Sequence, residues 1–213
     1  MTNTKEQVLE MIAAKRISAD DGEALLAALQ GVKRSKWRML VDPFERLTAM
    51  QSGLVAAIAA TGGLLLSRWG VRFDGAFDLH LLPGTVSLGS ALADEVVALP
   101  LPAAALWLAG FAVVRRGRFV DYLGAVGVAR LPLLLVGFVA GSMRGVLPVD
   151  PVQAARAPSM IVLGLTSVPG IVWTGVLLFN GFKTASGLQR WKGTSFAVGV
   201  VVAEIVSKIV LRF

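Results

Sequence analysis

The chain has 213 residues, 55% hydrophobic and only 16% charged, and a mean hydropathy of +0.69. Soluble domains carry about 25% charged residues, so the composition excludes an ordinary water-soluble domain and places the chain among integral membrane proteins. The net charge is +7 and there is no cysteine, which excludes disulfides, thiolate catalysis and cysteine-ligated metals.

Residues 1–31 are the one polar segment. The first ten, MTNTKEQVLE, hold no apolar core of a cleaved signal peptide. Val8, Leu9, Met11 and Ile12 give one helix an apolar stripe, and Leu25, Leu26 and Leu29 give a second. Ser18 with Asp21 three residues on fits a helix N-cap, and Gly31 sits where a C-terminal cap falls. The prediction is a cytosolic helical hairpin. A piece this small rarely builds its own core, so its apolar faces are expected to meet a second copy, the membrane surface or a partner. LEMIAAKRISADDGEALLAAL, Leu9 to Leu29, resembles the SHOCT-like hairpins attached to bacterial membrane proteins, which implies an oligomerising or docking appendage.

Residues 32–47 form a basic juxtamembrane connector. Lys33, Arg34, Lys36, Arg38 and Arg46 stand with Trp37 and Phe44, the composition of a segment lying on an anionic lipid surface. The partner expected here is lipid and not nucleic acid. Asp42-Pro43-Phe44 breaks any helix at that point.

Residues 48–213 read as an all-α membrane domain with five spans, at about 48–67, 93–114, 119–143, 159–181 and 194–212. Pro100 and Pro102 leave open whether span two is continuous, kinked or re-entrant. Pro169 predicts a kink in span four. The loop from Arg68 to Leu92 reads as irregular, with five glycines and prolines among Leu and Phe. The connector and the short loops around Arg115, Arg116, Arg118, Lys183, Arg190 and Lys192 hold most of the Lys and Arg near the spans. The positive-inside rule then sets the N-terminus in the cytoplasm and the C-terminus outside, in a bacterial inner membrane.

The stretch that organises the bundle is Phe119 to Gly145. It carries Arg130 near its middle, Pro132 just after, and Gly137, Gly141 and Gly145 spaced by four. The glycines predict a smooth stripe against which another helix packs closely. An arginine at bilayer depth costs at least about 2.5 kcal/mol and needs a partner or water. Glu204, at a similar estimated depth in span five, is the expected partner, with Lys208 one turn on as a competitor. Asp94 and Glu95, at the expected outer start of span two, are within reach of Lys208. Such a cluster either fixes helix register or lines a polar ion or proton route.

Catalysis is not expected. Asp94 and Asp121 fall at opposite ends of their spans, which excludes an intramembrane aspartyl pair. The single histidine, His80, lies in the long loop, and no HExxH or phosphate-binding motif is present. No cofactor and no metal site are expected.

Three stretches resemble the Yip family, the Ypt/Rab-GTPase-interacting proteins, in its bacterial form. They are Asp42-Pro43-Phe44 before span one, FVDYLGAVGVARLPLLL in span three, and LLFNGFKTASGLQRWKG followed by AEIVSKIV. The resemblance spans residues 42–213 and implies a non-enzymatic multispan protein. Eukaryotic relatives bind small GTPases and shape or traffic membranes, and some bacterial relatives stand beside ABC exporters. No GTPase-binding motif transfers to a residue here. The expected role is an accessory or scaffold that binds another membrane protein or itself. The alternative is a small transporter or channel centred on Arg130 and Glu204, against which five spans without a detectable inverted repeat weigh.

Overall fold

The computed structural model describes residues 4–14, 16–18, 20–22, 25–26, 37–73, 75–82, 84–115, 117–146, 157–188 and 192–210. It divides into two compact units, Met1–Leu40 and Val41–Phe213. Of the connector's basic residues, Lys33, Arg34 and Lys36 lie outside the described residues, and Arg38 is exposed.

In the first unit a helix runs over Thr4–Ala13. Residues 20–22 are helical again, with the cap that Ser18 and Asp21 imply. The Asp21 N–H donates to Ser18 Oγ at 3.1 Å, and the hydroxyl donates to Asp21 Oδ2 at 2.7 Å. Gly22 lies directly against Ile12, where a side chain would not fit.

The second unit holds five helices long and apolar enough to cross a membrane. They are Ala49–Ser67, Leu88–Val114, Phe119–Ser142, Pro158–Ser186 and Lys192–Val210, spans one to five. Span one opens with a full capping box. The Gln51 N–H donates to Thr48 Oγ1, and the Thr48 N–H donates to Gln51 Oε1. Span two starts at Leu88, five residues before the expected position, because Ser87 caps it through the Ser90 N–H. It continues past the prolines as two helical segments, Leu88–Ala98 and Pro100–Val114, joined at Leu99. Pro100 and Pro102 stand at the start of the second segment, where a missing N–H costs least. The turn into span three needs left-handed backbone, at Arg115 (φ 52) and Gly117 (φ 102).

Span three is also in two pieces, Phe119–Ala129 and Leu131–Ser142, with Arg130 at the joint and Pro132 in the first turn that follows. It is the most enclosed span, 67% buried against 22% for spans four and five. Spans one, two and four pack around it, and span five packs along span two. Gly124 and Gly127 let span one approach to backbone contact at Ser52 and Ala56. The core around Leu106, Tyr122, Val126, Leu178 and Phe182 fills the bundle where spans two, three and four meet.

Asp42-Pro43-Phe44 is the entry to this bundle. Pro43–Glu45 is a single 3₁₀ turn. It seats Phe44 against Ala125 and Val128, in the gap left by Gly181. Asn180 Nδ2 donates to the Val41 carbonyl at 2.8 Å, and Lys183 pairs with Asp42 at 3.4 Å. Lys183 is therefore part of span four and not of the loop after it.

The loop between spans one and two contains a β-hairpin that the irregular reading missed. Strands β1 (Val71–Phe73) and β2 (Leu79–Leu81) pair antiparallel, Val71 opposite Leu81 and Phe73 opposite Leu79. Val71 and Phe73 are buried with Leu66 and Leu133, and Leu79 and Leu81 pack beside them. Alternation does the rest: Arg72 and His80, directly opposite, belong to the other face. The hairpin closes one end of the bundle, and the Gly137–Gly141 stripe receives it. A Cβ at Gly137 would meet Val71, Leu66 and Leu79, and one at Gly141 would meet Trp69 and Val71. The stripe thus receives the hairpin together with Leu66 of the span-one helix. Gly145 lies beyond the helix, in the 3₁₀ turn Arg144–Val146, with open space around it.

Candidate functional site

Seven charged residues, Arg72, Asp78, Asp94, Glu95, Arg130, Glu204 and Lys208, gather under and around this hairpin. Asp94 and Glu95 are neighbours on span two, about 100° apart around the helix, so each addresses a different partner. Arg72 of β1 donates to Asp94 Oδ1 at 2.7 Å. Arg130 of span three donates through Nη2 to Glu95 Oε1 at 3.1 Å. Asp94 and Arg130 are 4% exposed and Glu95 8%. The guanidinium of Arg130 also lies over the Phe73 ring, 4.5 Å from its centroid, a cation–π contact that desolvation strengthens. Span one leaves room for the pair only because residue 63 is glycine; a Cβ there would collide with Glu95 Oε1.

The expected contact between Arg130 and Glu204 is not made. Span five packs along span two, and its carboxylate turns to the hairpin tip. Glu204 Oε1 accepts from the Ala76 N–H at 3.0 Å, and Gly75 keeps the backbone within reach of the carboxylate. A half-buried turn amide would otherwise lose its partner. Lys208 forms its ion pair with neither Glu204 nor Asp94 or Glu95 but with Asp78. It stands 60% exposed with its Nζ 3.6 Å from Asp78 Oδ2, at the same tip.

The cluster therefore works as a clamp. Span two holds β1 through Asp94 and Arg72, span three holds it through Arg130 and Phe73, and span five holds the tip through Glu204 and Lys208. Buried ion pairs of this kind balance desolvation against attraction, so removing one partner costs more than the pair contributes net. Glu204→Leu is expected to cost about 1.5–3 kcal/mol, the loss of a hydrogen bond to a charged acceptor, and to act locally. Hydrogen exchange at residues 75–81 should speed up while the core of span three stays protected. Uniform acceleration would mean that Glu204 supports the bundle as a whole.

At the other end of the bundle, Arg118 pairs with Asp121 at 3.1 Å on an exposed surface. Asp121 stands in the first turn of span three, whereas Asp94 lies nearly two turns inside span two, and the two pair with different arginines, Arg118 and Arg72. His80 is exposed on β2. Among the described residues, no group of three or more His, Cys, Asp or Glu could hold a metal ion.

Five apolar helices, the third of them central, entered by a Pro-Phe turn and closed by a clamped hairpin, define an all-α multi-pass membrane domain. A family model, the Yip1 domain, matches residues 33–211. The chain belongs to the Yip1-domain family, and the match runs from the basic connector to the end of span five, leaving residues 1–32 outside it. No curated protein and no solved structure matches the chain.

Proposed function

We propose that the protein is a non-enzymatic scaffold or accessory subunit, which binds another membrane protein, an ABC exporter being one candidate, or a second copy of itself. The observation that carries this reading is how the bundle uses its charges. Arg72, Asp94, Glu95 and Arg130 are paired within the fold and Glu204 caps a turn, which fits a structural role better than an ion route. Spans four and five, with only 22% of their most apolar 18-residue stretch buried, offer broad apolar faces to lipid or to partner helices. Residues 1–31, outside the family match, supply the recruiting or regulating appendage.

A mild-detergent pull-down of the full chain tests the proposal. A stoichiometric membrane partner, or a discrete homo-oligomer, is expected. Deleting residues 1–31 should weaken that association and leave a monodisperse bundle. A monomer that recovers no partner and instead carries an ion or solute across liposomes would establish the transport reading.

The Lys and Arg distribution supports a cytoplasmic N-terminus and an external hairpin, in the inner membrane of a bacterium. Cysteines placed singly at Thr2 and Ser87 of this cysteine-free chain should differ in intact cells. Only the one at Ser87 should react with an impermeant thiol reagent; the reverse pattern would invert the topology.

A further inference from the structure

A groove of about 420 Å³ runs between spans one, two and three and opens to the membrane. Gly53, Ala57 and Ala60 line one wall, and Glu95, Val96 and Val120 line the other. From Gly53 to Leu64, both at its surface, span one rises roughly 16 Å. That is about half of a bilayer's roughly 30 Å hydrocarbon core. The furrow therefore has the direction and length of an acyl chain.

Small residues alone would leave it an ordinary lipid-facing crease. Glu95 makes it chemically specific. Its Oε1 is taken by Arg130, but Oε2 is buried and has no hydrogen-bond partner in the protein. A carboxylate oxygen left unpaired in hydrocarbon strongly favours any occupant that brings a donor to it. The neighbouring charges narrow the choice. Arg130 already lies behind Glu95, and Asp94 is engaged by Arg72. The two carboxylates and two guanidiniums balance, so what the site lacks at Oε2 is a donor, and an ammonium brings one with charge assistance. Depth allows it too. Glu95 touches residue 63, four residues from the end of span one at Ser67, about 6 Å of helix rise.

We propose that this groove binds a lipid of the phosphatidylethanolamine class. One acyl chain lies along span one, and the primary ammonium donates to Oε2 of Glu95. Phosphatidylcholine differs by three methyl groups that remove every N–H, and phosphatidylglycerol brings a net negative charge, so the two separate donor chemistry from chain fit.

The test uses the full chain, delipidated in detergent and titrated with the three lipids bearing identical acyl chains. Retention is read by native mass spectrometry and stabilisation by thermal unfolding. Phosphatidylethanolamine is expected to be retained at about one per chain and to bind about tenfold tighter than phosphatidylcholine, one decade in Kd. Gly53→Leu with Ala57→Leu fills the groove. A Cβ at residue 53 meets nothing within 4 Å and Ala57 is exposed, so this variant should fold normally and lose the retention. Equal retention of the ethanolamine and choline lipids would overturn the proposal, as would preference for phosphatidylglycerol. It also fails if the filled variant keeps the lipid, or if filling the groove lowers only the oligomeric mass, which would make a second copy the occupant.

Discussion

Arg130→Leu and Glu95→Leu are each expected to destabilise the bundle by about 3–5 kcal/mol, because either change leaves the other charge buried without its partner. The double substitution should recover most of that loss, since two apolar side chains in a largely apolar site leave little uncompensated. Thermal unfolding of the four proteins in one detergent closes the cycle. Arg130→Leu combined with Glu204→Leu is the control. Those two residues serve different parts of the hairpin, and their effects should add. Strong coupling in the control, and none in the Glu95 pair, would restore the partnership expected from the sequence. The loss at Arg130 should slightly exceed that at Glu95, because it also removes the contact with the Phe73 ring.

The second large effect is expected at Gly127. An added Cβ would fall on the Cα and Cβ of Ala56, and a backbone cannot rotate away as a side chain can. Gly127→Val should therefore separate spans one and three, at the upper end of the roughly 1–3 kcal/mol typical of overpacking or beyond it. Loss of the monodisperse species in size-exclusion chromatography is the readout. Gly164→Val, in open space on span four, is the matched substitution that should change little. If both behave alike, helix propensity and not close packing explains them.

The five spans were legible because hydropathy over about 20 residues is a strong signal, and the central place of span three followed from its glycines. What the residues did not disclose came mostly from one boundary. Ser87, Gly89 and Ser90 depress the apolarity at the start of span two, so that span was placed from 93. Asp94 and Glu95 then appeared to stand at its mouth. With the helix beginning at Leu88, they lie nearly two turns inside, level with the clamp, and Glu95 becomes the natural partner of Arg130. The β-hairpin was hidden for a related reason. Two three-residue strands are too short for alternation to stand out, and their apolar residues merge with the Leu-rich loop. Gly137 and Gly141 correctly signalled close approach, but spacing cannot say whether a helix or a strand arrives. Asp42-Pro43-Phe44 was legible as a break and as a family signature, while the pocket under Phe44 required span four to be in place.

The bond from the Ala76 amide to Glu204 joins residues 128 apart in the chain. The hairpin leaves the ribosome before span two, yet its tip has no acceptor until span five has been made. The order of synthesis and the order of closure are therefore opposed. The first loop of the membrane domain waits for the last helix, and a nascent chain that stalls before residue 204 carries an open end. Insertion of span five is thus the step that seals the bundle. A translation or truncation product ending after span four would keep β1 seated on spans two and three but leave the hairpin tip unfastened, the Ala76 amide without Glu204 and Asp78 without Lys208.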